Sequence, residues 1–313
     1  SGNLVNQIVE LDAPSWMSMN QLTGVLSGTA PAFAGTSADT IVVNCKAGNA
    51  IGGTVEFTVT VTVASYASTN TKSLKFPSSS NAYLNGSATN VPSLARAANG
   101  AGAGDAWSVS MWVKPSTVTN AQTLFYYGDD LTNEGSITLT QFIGNNLLLK
   151  YGNSTDNLNF IGVGNFPTNQ WNHVLFTYGG ADTITANGGA TAFTMTVNGA
   201  NAISQIQSNG VGYSGSIVSD RFRVGRYDGA TTSQYLSNGI INQVAIWGTD
   251  ESANKATIYN SGATQDLSQL ASAPVHYYEV DSSITTIADV GTVANAPLTG
   301  FNFAAADLVT DAP

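Results

Sequence analysis

Charge is what this sequence has least of. Of 313 residues, 10 are Lys or Arg and 20 are Asp or Glu. Charged residues are therefore 10% of the chain, against about 25% in an ordinary soluble domain. The charge present is one-sided, with a net −10 and a pI near 4.3. A field of that sign repels a phosphate backbone and argues against a nucleic-acid partner. The lone Cys45 excludes an intrachain disulfide and any cysteine zinc site. It sits in the apolar run Ile41-Val42-Val43-Asn44-Cys45 and reads as a buried, inert thiol. No run of about 20 apolar residues exists, so no membrane insertion is expected. No basic segment followed by an apolar core opens the chain, so no signal peptide is read. Heptads and fixed-period repeats are missing as well.

Small polar residues take the place of charge. There are 32 Gly, 35 Thr and 30 Asn, residue types that belong in strands and turns. Hydrophobic residues are 42% of the chain, enough for a core. The length predicts two or three domains. Gly53 to Val63 (GTVEFTVTVTV) alternates without a break, which predicts a half-buried strand with Val55, Phe57, Val59, Val61 and Val63 facing inward. Residues 40–46 read as its partner and residues 20–29 as a further strand. Residues 64–71 are small and polar, the composition of a linker.

Beyond them come many short strand patterns at regular spacing, which predict a two-sheet jelly roll. They cover 73–76, 107–113, 123–127, 136–142, 147–151, 159–163, 171–178, 192–197, 221–224 and 239–247, with another at 276–280. One helix is predicted over Thr249–Tyr259, capped by Thr249, with acids in its first turn and Gly262 after its end. Arg221, Arg223 and Arg226 are the only basic cluster, and they read as a solvated strand face.

Three stretches carry resemblances. Ala13-Pro14-Ser15-Trp16-Met17-Ser18-Met19-Asn20, Thr23-Gly24-Val25-Leu26-Ser27-Gly28-Thr29, the Gly52-Gly53 turn and the Thr/Val strand resemble Ig-like, cadherin-like modules of bacterial and phage surface proteins. The second group is Trp107-Ser108-Val109-Ser110-Met111-Trp112-Val113-Lys114-Pro115, Gln170-Trp171-Asn172-His173-Val174, Thr196-Val197-Asn198-Gly199 and the segment from Gly239 to Trp247. It resembles a LamG-like, concanavalin A-like jelly roll. Leu298-Thr299-Gly300-Phe301-Asn302 and the ending from Asp307 to Pro313 resemble structural proteins of marine bacteriophages, especially cyanophages.

The fold class expected is all-β. A small Ig-like β-sandwich (1–63) precedes a linker (64–71) and a concanavalin A-like/LamG jelly-roll sandwich (72–270). One short helix lies near 250–260, and a C-terminal tail (271–313) packs on the jelly roll. The strand that normally precedes the Pro-Ser-Trp element is short here and no initiator Met is present, so the chain is expected to be the end of a longer polypeptide.

Catalytic signals are sparse. A jelly-roll glycosidase needs two carboxylates about 5–9 Å apart, and the nearest run, Glu279-Val280-Asp281-Ser282-Ser283-Ile284, lacks the last acid. His173 and His276 both read as packed residues, and no nucleophile-elbow, zincin or phosphate-loop motif occurs. Calcium is the candidate cofactor, since the loops offer oxygen ligands. The densest set is Asp129, Asp130, Asn133 and Glu134, with Asp105 and Asp156 as second choices, and the LamG resemblance implies that a rim calcium is compatible. The alternative for these loops is plain turn chemistry.

Sugar recognition needs aromatic platforms beside amide and hydroxyl groups. The candidate ligand residues are Tyr227, Asp228, Tyr235, Tyr126 and Tyr127, with the loop from Tyr227 to Tyr235 preferred. Tyr151 and Tyr213 are further loop candidates, whereas Trp107, Trp112, Trp171 and Trp247 read as core. The resemblances imply a non-enzymatic phage virion surface protein, a distal tail-fibre or appendage part that binds host surface glycans. Such a protein would be made in the host cytoplasm, sit among other virion proteins and, by analogy, be a homotrimer. The alternatives are capsid decoration or a structural brace, a glycan depolymerase, and a bacterial surface adhesin.

Overall fold

The computed structural model describes residues 7–10, 12–21, 23, 25–28, 39–48, 53–63, 68, 70–87, 90–91, 94, 106–116, 120–129, 135–153, 155–164, 166–180, 193–209, 217, 221–228 and 233–313. The chain divides into two compact units, Ser1–Thr69 and Asn70–Pro313.

In the first unit the described strands are β1 (Gln7–Glu10), β2 (Met17–Met19), β3 (Leu26–Gly28), β4 (Asp39–Gly48) and β5 (Thr54–Val63). They form an antiparallel β1-β4-β5 sheet and a β2-β3 hairpin. Met17, Met19, Val43 and Cys45 are buried together, with Trp16, Leu26, Ile41, Val59 and Val61 packed on them. Of the inward set expected in β5, Val59 and Val61 pack inward, and the side chain of Val63 lies outside the described residues. Val55 is 66% exposed and Phe57 37%. The β2-β3 hairpin contributes Met17, Met19 and Leu26 to the cluster, and that packing reaches Val59 and Val61 but stops short of the beginning of β5. Asn44 donates from its backbone and side-chain nitrogens to Asp12 at 2.8 and 2.5 Å. These bonds hold the exposed Asp12 carboxyl below its ordinary pKa.

The second unit contains β6 (Ser73–Lys75), β7 (Tyr83–Gly86), β8 (Trp107–Lys114), β9 (Gln122–Asp129), β10 (Gly135–Phe142), β11 (Asn146–Gly152) and β12 (Asn157–Gly162). β13 (Asn172–Tyr178), β14 (Phe193–Val197), β15 (Ala200–Asn201), β16 (Gln205–Asn209), β17 (Arg221–Val224), β18 (Arg226–Asp228), β19 (Ser233–Tyr235) and β20 (Ile240–Trp247) follow. The last segment adds β21 (His276–Glu279), β22 (Thr286–Ile287), β23 (Leu298–Phe301) and β24 (Leu308–Val309). Among the described residues, one sheet has nine strands in the order β16-β12-β11-β10-β9-β17-β7-β23-β22. The other has eight, in the order β15-β14-β13-β8-β20-β6-β24, with β21 also on β20. The final segment thus supplies strands to both sheets.

Each strand's inward set fills the space between the sheets. Trp107, Val109, Met111, Val174, Phe176 and Ile246 from one sheet meet Leu84, Phe125, Tyr127, Leu149, Phe160 and Phe222 from the other. Phe125 and Phe176 touch across the layers, ring centroids 5.4 Å apart at 71°. A second apolar layer lies outside the eight-stranded sheet, where Leu175, Ala245, Trp247 and Tyr277 pack with Ile258 and Leu267. β13 is therefore buried on both faces. A nearly all-β jelly-roll sandwich with one short helix results.

The helix is shorter than the sequence predicts. α1 spans Lys255–Tyr259, preceded by a 3₁₀ turn at Ser252–Asn254. Thr249 does not cap it. Its hydroxyl donates instead to Glu251, whose buried carboxylate also accepts from Asn254 and Ser272, each at 2.6 Å. The acids expected to favour the helix dipole pin a loop instead. Asn260, in the left-handed region at φ 48°, stops the helix.

Candidate functional site

The two outer faces of the sandwich differ in cover. The outer face of the eight-stranded sheet lies under residues 249–273. Ser108 bonds to the backbone of Thr249 and Glu251, Trp247 donates to Ser272 O at 2.9 Å, and Tyr259 packs on Trp112 and His173. His173 shares a 2.8 Å hydrogen bond with Ser110. Burial pushes its pKa down to about 3, so the ring is neutral. This Ser–His pair is covered and has no carboxylate behind it: His173 Nδ1 has no hydrogen-bond partner among the described residues. It is a packing element.

The nine-stranded sheet presents the other face. With Leu84, Phe222, Val224, Phe125 and Tyr127 in the core, alternation turns Tyr83, Asn85, Arg221, Arg223 and Tyr126 outward. The register sets Phe301 opposite Tyr83, and Arg223 opposite both Asn85 and Tyr126. Arg223 donates to Asn85. At Gly225, φ is +81° and a Cβ would collide with the Phe76 ring. The chain turns there into the β18-β19 hairpin, in which Arg226 faces Tyr235. A layered stack results. Phe301 lies parallel to Tyr83 at 4.9 Å, and the Arg226 guanidinium sits 4.5 Å from the Tyr83 ring and 5.3 Å from the Tyr235 ring. Cation–π contacts of this kind are worth about 0.5–2 kcal/mol.

Two clefts open beside the hairpin. A neutral one of about 270 Å³ is lined by Ser78, Asn81, Asn120, Gln122, Ser237 and the stacked Tyr235, among others, with no charged residue. Gln122 accepts from the backbone of Ser237 at 3.0 Å, which fixes its amide. The other, of about 440 Å³, is lined by Lys75, Lys114, Ser116, Asn169, Asn238 and Asp311, among others. There Lys114 and the Trp171 indole donate to the Asp311 carboxylate at 2.8 and 3.0 Å. Burial pushes the Asp311 carboxyl up, but Lys114 and Trp171 outweigh it and hold the group below its ordinary pKa.

The sequence-predicted site residues divide. Tyr235 and Tyr227 are half-buried on the hairpin. Tyr126 and Tyr127 do not lie at a strand end. They are consecutive inside β9 and 0% and 1% exposed. Tyr127 enters the core, and Tyr126 lies edge-on under Tyr227 at 5.4 Å, so neither offers a ring face to a ligand. Tyr151 is buried too. Asp228 pairs with Ser233 through the backbone, and its side chain lies outside the described residues, as does that of Asp129. Asp130, Asn133, Glu134, Asp105 and Tyr213 lie wholly outside them. At Asp156 the chemistry is that of a turn, with Asn153 Oδ1 accepting from the Thr155 and Asp156 backbone at 2.9 and 2.6 Å. Among the described residues no group of three or more His, Cys, Asp or Glu could hold a metal ion.

Glu279 accepts from Tyr277 and Gln243 at 2.6 and 2.7 Å. Burial and this carboxylate push the Tyr277 phenol well above its ordinary pKa. Asp281 is exposed beyond the strand end. His276 is buried and donates from Nδ1 to Asp289 at 2.7 Å. Sequence reading missed Tyr83, Phe301, Arg226 as a stacking group, and the amides of Asn81, Asn120 and Gln122. The alternation of Ala82-Tyr83-Leu84-Asn85 was the available signal for Tyr83.

No curated protein matches this sequence. Among solved structures, the native heptameric SAP-like pentraxin from Limulus polyphemus is similar at 14% identity and TM-score 0.42, over 73% of this chain and 94% of that one. The Ruminococcus gnavus IT-sialidase CBM40, solved with α2,3 sialyllactose, is similar at 11% identity and TM-score 0.38, over 50% of this chain and 84% of that one. The NanB sialidase from Streptococcus pneumoniae gives 15% identity and TM-score 0.37 over 58% of this chain, which spans 27% of that enzyme. All three likenesses are distant. Residues 85–256, more than half of the chain, match the Concanavalin A-like lectin/glucanases superfamily, and the chain belongs to it.

Proposed function

We propose that the second unit binds glycans through the Tyr235 cleft, without catalysis, and that the chain serves as a surface part of a phage virion appendage. The observation that carries the binding reading is the cleft itself. It joins an aromatic ring to side-chain amides and hydroxyls, with no charged residue in its lining, at loop and strand-end positions beside the β18-β19 hairpin. That composition suits the apolar face and hydroxyl rim of a pyranose. Superfamily membership supports a lectin-like role. The reading without catalysis rests on the sequence, where the run from Glu279 to Ile284 lacks its last acid. The virion reading rests on the resemblances of the first unit and the tail. Weak single contacts would be strengthened by multiple copies on a particle.

A structural-brace reading has one observation in its favour. Phe142 and Ile143 are 38% and 60% exposed and line an apolar cleft with Leu147, Leu148 and Ile161, a patch of the kind that meets other proteins. A glycan array probed with the full chain separates the two. Binding to defined polysaccharides, lost in Tyr235→Ala at an unchanged melting temperature, is expected. Silence on the array together with retained particle association overturns the glycan reading in favour of the brace. Gold labelling that decorates no part of the virion overturns the appendage role.

A further inference from the structure

The two clefts are neighbours by construction. Three chain segments line both of them. Lys75 lines the charged cleft, while Pro77 and Ser78 line the neutral one. Lys114 to Ser116 line the first, and Asn120 to Gln122 the second. Asn238 and Ile240 line the first, and Tyr235 to Ser237 the second. The segments are tied side by side: Ser116 donates to Ser237 O at 2.6 Å, Phe76 to Gly239 O at 2.8 Å and Asn238 to Phe76 O at 2.6 Å. Three residues of extended chain reach at most about 11 Å, so Lys75 and Ser78 lie within the span of a short oligosaccharide.

The two linings differ in charge, although the Arg226 guanidinium stands 5.3 Å from the Tyr235 ring outside the lining. Tyr235 faces a neutral lining, while the other end carries two of the chain's ten basic residues. Lys114 is already engaged by Asp311. That contact displays how this end holds a carboxylate, with an ammonium and the Trp171 indole N–H converging on its two oxygens. The Lys75 ammonium makes no ion pair or hydrogen bond among the described residues.

We propose that the clefts form one trough for an acidic polysaccharide, a carboxylate-bearing sugar against Lys75 beside a neutral sugar against Tyr235. This rests on the glycan-binding reading above and names the ligand class of that site. The net charge of −10 does not oppose it at close range. Screening confines charge effects to about 8 Å at physiological ionic strength, so the nearest cations decide.

The test uses the full chain and a panel of uronate polymers (alginate, polygalacturonate, hyaluronan, xanthan), each paired with its carboxyl-reduced derivative. Binding is read by calorimetry, with melting temperatures as the folding control. The expected result is that at least one uronate polymer binds about tenfold more tightly than its reduced form. Lys75→Gln abolishes that difference, raising salt from about 50 to about 500 mM shrinks it, and Tyr235→Ala weakens both forms. Equal binding of acidic and reduced polymers, or an unchanged preference in Lys75→Gln, overturns the acidic-ligand proposal and leaves the glycan reading standing. Failure of every polymer to bind, together with silence on a neutral-glycan array, overturns both.

Discussion

Replacing Asp289 by Asn removes one charge and keeps the shape, and the geometry sets its cost. Asp289 Oδ1 accepts from the backbone of Tyr277 and Gly291, each at 3.1 Å. Oδ2 accepts from His276 Nδ1 at 2.7 Å and from the Ala296 backbone at 3.1 Å. The side chains of the pair are 0% and 1% exposed. In Asp289→Asn the amide oxygen can still serve the first two donors, but the NH₂ group then faces the His276 and Ala296 donors. Two hydrogen bonds to a charged acceptor are lost, at about 1.5–3 kcal/mol each. Together they come to about 3–6 kcal/mol. At about 2–4 °C per kcal/mol for a domain of this size, the second unit should melt at least about 6 °C lower.

The pH dependence follows from the same bonds. Burial pushes the Asp289 carboxyl up, yet His276 and the three amides outweigh it and leave its pKa lowered. A lowered carboxylate pKa stabilises fully above the unfolded value of about 3.9, and that contribution is lost as pH falls through the folded value. Thermal melts followed by tryptophan fluorescence report on this unit through Trp107, Trp112, Trp171 and Trp247. The gap between wild type and variant should hold from pH 7 to 5 and close below about pH 4. A variant that melts within 2 °C of wild type at pH 7, or a gap that stays constant into acid, refutes the reasoning.

Three further outcomes follow from single residues. His173, with its pKa lowered to about 3 by burial, should show no NMR titration between pH 8 and 5. Because the unfolded chain binds that proton near 6.5, His173 makes stability fall as pH drops from about 6.5 toward 3; a titration midpoint near 6.5 in the folded protein contradicts its burial. Gly225→Ala puts a methyl against the Phe76 ring at a φ of +81°, and urea melts should show a loss of about 2–4 kcal/mol. Arg226→Ala removes the cation between Tyr83 and Tyr235, so amide exchange in β18 and β19 should speed up several-fold while β13 and β20 keep their protection; uniform change across both sheets counts against a local role.

The fold was legible wherever burial left a pattern. Strands such as β8, β10 and β13 stand out because bulky apolar residues recur at every second position, as in Trp107, Val109 and Met111, or Val174, Phe176 and Tyr178. Two-residue strands such as β15, β22 and β24 carry no periodicity, and only tertiary pairing defines them. Tyr126 and Tyr127 are instructive, because consecutive strand residues must face opposite sides. One of them had to enter the core, and burial of the other depended on a hairpin folding back 100 residues later. Thr249 misled for a related reason. A threonine caps by accepting from a backbone N–H of the first turn, but the helical turns begin only at Ser252 and Lys255, with Glu251 and Asn254 in the cap positions, and the Thr249 hydroxyl donates to the Glu251 carboxylate. The candidate site was half legible. Tyr235 announced itself between polar residues, whereas its neighbours Asn81 and Gln122 reach it only through sheet register.

The stretch matching the superfamily, residues 85–256, is the scaffold and does not by itself contain the trough. Lys75, Ser78 and Asn81 precede it, as does Tyr83 of the stack, while Phe301, Val309 and Asp311 follow it. These flanking residues are held on the scaffold directly or through one another: β6 pairs with β20, β7 with β17, and β23 with β7. Such an arrangement separates two demands. The inward residues of the sheets must keep volume and shape to preserve the core, whereas residues at the rim can change charge without disturbing it. A chain with 10% charged residues places both Lys75 and Lys114 in one rim cleft, where the nearest charges decide what is attracted. The final segment matters to that chemistry as much as to the fold, because the β24 pairing that completes the eight-stranded sheet also delivers Asp311 to Lys114.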